Sequence, residues 1–347
     1  MRITVDAMGG DHGPAVIVAG ALDAARQFDV ELTIVGRAAE IEPALSKLER
    51  SARGVSVLDA PEVIEMDEHP AMAVRRKKKS SIVLALKEVK EGRASAMVSA
   101  GNSGAVMTAS LAVLGRIPGV DRPALATVLP TLRGNTIMLD LGAVTDPSAE
   151  QLVQFAHMAK VYAVAALGKV YPSIALLSNG AEDTKGNQLV LETFSLLGAE
   201  PGLNFVGNAE GADLLRGSID VIVTDGFTGN VALKSMEGTA SVLIEAIREE
   251  LTKSLPRRAA AWLLKPAFRS IRDQFDYAGI GGAPLLGVNG VVIIAHGRSS
   301  EKAIMNAIGA GKRSAEQALP QKIREDLSSV RPQLDGASEK ANAPVLS

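Results

Sequence analysis

The stretch Asp225-Gly226-Phe227-Thr228-Gly229-Asn230 places a carboxylate, a hydroxyl and an amide within one short segment and separates them with two glycines. Such groups can hold an anion or a polarised carbonyl, and the glycines let a ligand approach bare backbone. Ser99-Ala100-Gly101-Asn102-Ser103-Gly104 has a related make-up. Its backbone N–H groups and the Ser103 hydroxyl suit a phosphate, although capping alone would explain Asn102 or Ser103. In Asn179-Gly180-Ala181-Glu182-Asp183-Thr184-Lys185-Gly186-Asn187 a lysine stands among amides. There it can offset an anion or a developing negative charge, the alternative being a solvated loop lysine. Asp6-Ala7-Met8-Gly9-Gly10-Asp11 and His296-Gly297-Arg298 complete the set. His296 reads either as an acid or base or as a structural histidine.

These segments need a frame that delivers them to one place. Each follows an apolar, strand-like run: Ile3 to Asp6, Ala96 to Ser99, Ile174 to Ser178, Val221 to Thr224 and Val291 to Ala295. Further strand-like runs lie at Leu32 to Val35, Val55 to Leu58, Thr136 to Asp140 and Asn204 to Val206, with helical periods between them at Ala15 to Phe28, Ser81 to Lys90, Ala149 to Leu167 and Gln188 to Leu197. The alternation predicts an α/β fold, a Rossmann-like α/β/α sandwich with a mainly parallel sheet. Loops leaving strand ends for helix starts are where such folds bind ligands. One domain over residues 1–330 is expected, with a Pro-, Ser- and charge-rich tail over 331–347.

A helical excursion over about 245–278 interrupts the rhythm. Lys253, Arg257, Arg258, Lys265, Arg269 and Arg272 accompany Trp262, Leu263, Leu264 and Phe268, with no acidic residue from Lys253 to Arg272. A basic amphipathic segment with an aromatic anchor reads as a membrane-surface contact, with Trp262, Leu263, Leu264 and Phe268 as the contact residues, or as a helical hairpin in a dimer interface. The run Arg75-Arg76-Lys77-Lys78-Lys79 is either solvated or suited to an acidic protein partner or a phosphate.

Composition narrows the chemistry. The 347 residues carry a net charge of −2 and 3% aromatic residues, which gives no global basis for nucleic-acid binding. With no cysteine, neither a thiolate nucleophile nor a Cys-ligated metal is available. The glycines at 9, 10 and 13 do not form a dinucleotide fingerprint, and no HExxH, Walker A or GxSxG motif occurs. No metal and no cofactor are expected. The N-terminus begins on a strand pattern without signal-peptide regions, and no apolar run is long enough to span a bilayer. These points predict a cytoplasmic enzyme.

In order along the chain, the segments beginning at Asp6, Ser99, Asn179, Lys185 and Asp225, together with Gly281-Gly282-Ala283-Pro284-Leu285-Leu286-Gly287, resemble the bacterial phosphate acyltransferases of phospholipid synthesis, the PlsX family. The resemblance covers nearly the whole chain. It implies a fold related to phosphotransacetylases and isopropylmalate-type dehydrogenases, and an enzyme that moves a long acyl group from acyl carrier protein to inorganic phosphate, releasing acyl phosphate. It also implies a homodimer on the inner face of the plasma membrane, feeding a membrane glycerol-3-phosphate acyltransferase. Acyl carrier protein is then the acidic partner that the run Arg75 to Lys79 would suit. Lys185 and Asn230 fall on the family positions implicated in activity. Substrate contacts are expected from Asp6, Gly9, Gly10, Ser99, Gly101, Asn102, Ser103, Gly104, Asn179, Asn187, Asp225, Gly226, Thr228, Gly229 and His296. The chain departs from the family at Val144, where asparagine is usual, and at Glu182-Asp183, where two glutamates are frequent. A coenzyme A-dependent phosphotransacetylase, a nicotinamide-dependent dehydrogenase and a non-enzymatic membrane scaffold are the competing readings.

Overall fold

The computed structural model describes residues 1–47, 54–275 and 281–329. The predicted tail over 331–347 lies outside them, as do residues 276–278 of the predicted excursion.

The first half of the molecule runs β1 (Arg2–Asp6), α1 (Pro14–Phe28), β2 (Glu31–Gly36), α2 (Ala38–Lys47), β3 (Val55–Asp59), α3 (Pro70–Arg76), α4 (Ser81–Lys90), β4 (Ala96–Ser99) and α5 (Ser103–Val113). The second runs β5 (Ala124–Thr131), β6 (Gly134–Leu139), α6 (Ala149–Leu167), β7 (Ser173–Leu177), α7 (Gln188–Ala199), β8 (Asn204–Ala209) and β9 (Val221–Val223). Two long helices, α8 (Gly226–Thr252) and α9 (Leu255–Gln274), follow. Then β10 (Ala283–Leu286), β11 (Val291–Ile294) and α10 (Glu301–Glu316) return to the first half.

One sheet carries eleven described strands in the order β3-β2-β1-β4-β11-β10-β5-β6-β9-β7-β8. Neighbours from β3 to β11 are parallel, as are those from β6 to β8. Between these groups β10 pairs antiparallel with both β11 and β5, and β5 pairs antiparallel with β6. Three reversals leave the two parallel groups running in opposite senses.

Apolar burial on both faces of the sheet holds the layers. Under β1, β2, β4 and β11 the core combines Ile3, Val5, Leu22, Ile34, Ile293 and Ile304, so that α1 and α10 share one face with residues from both chain ends. Phe155, on α6, is fully buried with Ile137, Leu139 and Val221 beneath the second group. Each such side chain contributes roughly 1.5–3 kcal/mol.

Helix starts are fixed by local hydrogen bonds. Ser80, Asn102, Asn187, Asp225 and Ser300 each accept a bond from the backbone N–H three residues on, and Ser148 forms a reciprocal capping box with Gln151. Residues 319–329 form a further helix, tied to α6 through Asp326, which lies 2.8 Å from His157 Nδ1 and 2.5 Å from Lys160 Nζ. The other ring nitrogen of His157 is 3.2 Å from Glu200.

The helical excursion starts earlier than the sequence pattern indicated. The first turns of α8 stay on the sheet, with Gly226 and Gly229 buried and Ala232, Leu233 and Met236 packed against the core, and residues 238–250 are all exposed. Pro256 occupies the first turn of α9, a position where its missing N–H costs nothing, and Pro266 lies inside the helix. Two of the six basic residues counted there, Lys253 and Arg257, share one carboxylate, Glu250.

Candidate active site

The loops leaving β1, β4 and β11 meet at one edge of the sheet. Asp6, at the end of β1, is fully buried and accepts a 2.6 Å bond from Ser99 Oγ and a 3.1 Å bond from the Met8 N–H, with Ser81 and the Gly9 N–H as further donors. Burial pushes its carboxyl above the ordinary value, although all four donors oppose the shift. Ser99 Oγ also accepts from the Gly101 N–H at 3.1 Å. Gly9 stands so close to the Gly101 backbone that a Cβ on it would collide with the Gly101 nitrogen. Gly10, at φ 92°, turns the chain so that the Asp11 N–H reaches Gly297 O at 2.8 Å, which joins the β11 loop to the β1 loop. The Asn102 amide donates to the carbonyls of Glu65, Met66 and Glu68, while its oxygen caps α5 through the Ala105 N–H. Gly104 packs against Pro70, and Ser103 is exposed at the first turn.

The loops leaving β6, β9 and β7 form the second group. Asp140 ends β6, is fully buried, and accepts from the backbone N–H groups of Leu125, Leu141, Ala143 and Val144 at 2.7–3.1 Å. Burial pushes its carboxyl up too, against those four bonds. The start of α8 seats directly on this loop. The Gly226 N–H donates to Val144 O at 2.8 Å, and a Cβ on Gly229 would overlap Asp140 O. Val144 therefore serves the loop through its backbone, which explains why an apolar side chain is accepted there. Asp225 caps α8 by accepting from the Thr228 N–H at 2.7 Å. Asn230 lies above Gly142, whose φ of 122° leaves its side-chain nitrogen 3.4 Å from where a Cβ would stand. Both Asn230 and Thr228 are exposed.

On the neighbouring β7 loop Asn187 caps α7 through the Val190 N–H at 3.0 Å. The alkyl chain of Lys185 lies over Gly180, with Glu182 on the same glycine. No ion pair to a described residue holds the Lys185 ammonium, and Asn179 is exposed beside it. Asn208, on β8, donates to Glu182 O at 2.9 Å and supports the loop from behind, while its own Oδ1 is buried with no partner.

Residues 1–322 match the protein family described as fatty acid synthesis protein. The chain belongs to the fatty acid synthesis protein family. Among the relatives of this family member is a "Phosphate acyltransferase" of Desulfitobacterium hafniense, 52% identical over 94% of this chain and 98% of that protein. Another, of Heliobacterium modesticaldum, bears the same name and is 50% identical over 94% of this chain and 98% of that protein. In fold, this family member is similar to a phosphotransacetylase from Streptococcus pyogenes, with a TM-score of 0.58 at 19% identity over 94% of each chain. The family member is an acyltransferase of lipid synthesis.

The fatty acid synthesis family member thus divides the expected site residues into three sets. Asp6, Gly9, Gly10, Ser99, Gly101, Asn102 and Gly104 come together and hold one another. Asn187, Asp225, Gly226 and Gly229 fix two helix starts. Lys185, Asn179, Thr228, Asn230 and Ser103 present exposed polar groups. His296 bridges the halves, with its Nε2 3.4 Å from Lys234 on α8. Sequence reasoning gave no role to Ser81, Asp140 or Lys234. The spacing of Lys234, four residues after Asn230 on a helix, was the available signal for it. Trp262 and Leu263 are 72% and 71% exposed on α9, and Leu264 and Phe268 are also exposed. The Gly281–Gly287 segment contains strand β10, with Leu285 and Leu286 buried. A cavity of about 640 Å3 lined by Leu132, Arg133, Leu215, Arg216 and Phe275 contains none of the expected site residues.

Proposed function

We propose that the protein transfers a long acyl group from acyl carrier protein to inorganic phosphate, releasing acyl phosphate. The observation that carries this reading is the pair of adjacent, parallel strands β7 and β9, which lead at the same sheet edge into the loop bearing Lys185 and the helix start bearing Asn230, with no ionic partner on Lys185 among the described residues. The family relationship supplies the reaction class.

Phosphate is a heavily solvated nucleophile, so the enzyme's task is to desolvate it and hold it against the thioester carbonyl. Lys185 supplies the counter-charge and Asn230 an amide N–H for the oxyanion that forms as phosphate oxygen attacks. The C–S bond then breaks, and the carrier thiolate leaves with little need of an acid because its conjugate thiol has a pKa of about 8.5. The attack is direct, without a covalent enzyme intermediate and without a metal or cofactor.

No described helix is long and apolar enough to cross a membrane. The reading adds a cytoplasmic homodimer resting on the anionic inner face of the plasma membrane, where it hands acyl phosphate to a glycerol-3-phosphate acyltransferase. Exposed Trp262, Leu263, Leu264 and Phe268 beside Arg258, Lys265 and Arg269 support the surface contact. Each cation near an anionic leaflet adds about 1 kcal/mol.

The deciding assay supplies the purified chain with phosphate and either long-chain acyl carrier protein or acetyl coenzyme A, and measures acyl phosphate. Formation from the carrier thioester is expected; turnover of acetyl coenzyme A alone would replace this reading with a short-chain phosphotransacetylase. Vesicle flotation tests the surface contact, with salt-sensitive binding to anionic vesicles expected to disappear in Trp262→Gln/Leu263→Gln/Leu264→Gln. Retained binding would remove α9 as the anchor.

A further inference from the structure

We infer that Lys234 and His296 form an oxyanion clamp closed between the two halves of the molecule, and that the anion it takes is the phosphate consumed in the reaction. The inference rests on the acyl-to-phosphate reading above.

The His296 ring is held by its own loop. Its Nδ1 accepts the Arg298 backbone N–H at 3.1 Å, so the neutral ring carries its proton on Nε2. Nε2 lies 3.4 Å from the Lys234 ammonium. Lysine has only donors to offer, and Nε2–H is also a donor, so neither group satisfies the other. Two convergent donors at this separation are satisfied together by one acceptor with several oxygens, and a tetrahedral oxyanion matches that need.

Placement ties the pair to the site. Lys234 follows Asn230 by four residues on α8, so the two side chains share one helix face about 5–6 Å apart at their Cβ atoms. His296 comes from the opposite half, on the loop whose Gly297 carbonyl receives the Asp11 N–H. An anion between Lys234 and His296 therefore stands one helical turn from the amide assigned to the oxyanion.

Carboxylates border the gap. Glu237 accepts from Lys234 at 2.7 Å, an exposed i,i+3 pair of little strength, and Asp11 lies beside Gly297. Glu237 orients the ammonium and leaves the His296 Nε2–H without an acceptor from that carboxylate.

The same chemistry could serve the phosphodiester of the carrier's prosthetic arm, so the test separates the two sources. Lys234→Gln and His296→Gln proteins with unchanged circular dichroism are expected to raise the KM for inorganic phosphate about tenfold to a hundredfold, with the KM for acyl carrier thioester within twofold of the parent. Lys234→Arg should recover part of the loss. A rise confined to the thioester KM would assign the clamp to the carrier arm and overturn the proposal, as would no change in either. Calorimetric titration of the free chain with inorganic phosphate provides a readout that needs no turnover. Saturable heat in the parent that is lost in both variants supports the clamp even if acyl phosphate formation fails, whereas equal heat in Lys234→Gln, or none in the parent, overturns it.

Discussion

The loops after β4 and β9 have the same make-up, a strand emptying into small polar residues ahead of a helix, yet their polar groups have opposite fates. After β4, Asn102 uses its oxygen on the Ala105 N–H and its nitrogen on three carbonyls of the 65–68 turn. After β9, capping falls to Asp225, and Asn230 extends past the cap with its amide exposed above Gly142. An asparagine at the cap is consumed by the backbone; one a turn further along stays exposed. Position relative to the helix start, more than residue type, decides which of the two a side chain does.

That distinction is most directly broken at the exposed groups. Lys185→Ala and Asn230→Ala should each lower kcat by two to three orders of magnitude, about 3 kcal/mol of barrier, with thermal midpoints close to the parent's. Parent-like turnover in either folded variant would return these residues to the solvated class. Next in size is Gly229→Ala, whose methyl would overlap Asp140 O at the seat of α8; a loss of about 1–3 kcal/mol in denaturant-derived stability is expected. Asn102→Ala sharpens the contrast from the other side. It should cost about 1–2 kcal/mol of stability while kcat in the folded fraction changes little. A hundredfold fall in kcat at unchanged stability would show that the two loops are not different in kind.

The smallest effect is one of pH. Burial alone would raise the Asp326 carboxyl, but the His157 and Lys160 donors outweigh it and hold the group below its ordinary value. Its contribution is therefore present above the unfolded carboxylate pKa of about 3.9 and is lost as pH falls through the lower folded value. Amide exchange over 319–329 should accelerate in that acid range and become insensitive to it in Asp326→Asn. Asp6 and Asp140, shifted the other way, should not share this acid weakness.

Much of the frame was legible because near-continuous apolar runs followed by small polar loops mark parallel strands. The strands that end in Asp6 and Ser99, and those that lead into the segments carrying Lys185 and Asn230, appear within a residue or two of where the pattern put them. Two strands were not legible. Ala283–Leu286 is short and sits among glycines beside Pro284, and Ala124–Thr131 contains Pro130; local turn chemistry dominates such sequences, while the pairing that makes them strands comes from residues far along the chain. Nor could sequence distinguish Asn187 and Asp225 as caps from Asn230 as an exposed amide, since the same atoms serve both ends. Val144 shows the converse: a side chain that departs from the family pattern leaves the loop intact because the bonds there belong to the main chain.

The insertion of β10 and β11 into the middle of the sheet has a consequence for how the chain is made. Strands β5 to β9 are contiguous in sequence and can pair with one another as they emerge from the ribosome, leaving only the β5 edge that later takes β10. By contrast β4 lacks its neighbour, and α1 its packing partner α10, until residues beyond 283 are synthesised. The β1 to β4 group is thus completed only after the β5 to β9 group has been made, with an unpaired apolar edge exposed in the meantime, an interval in which a nascent-chain chaperone has the most to protect.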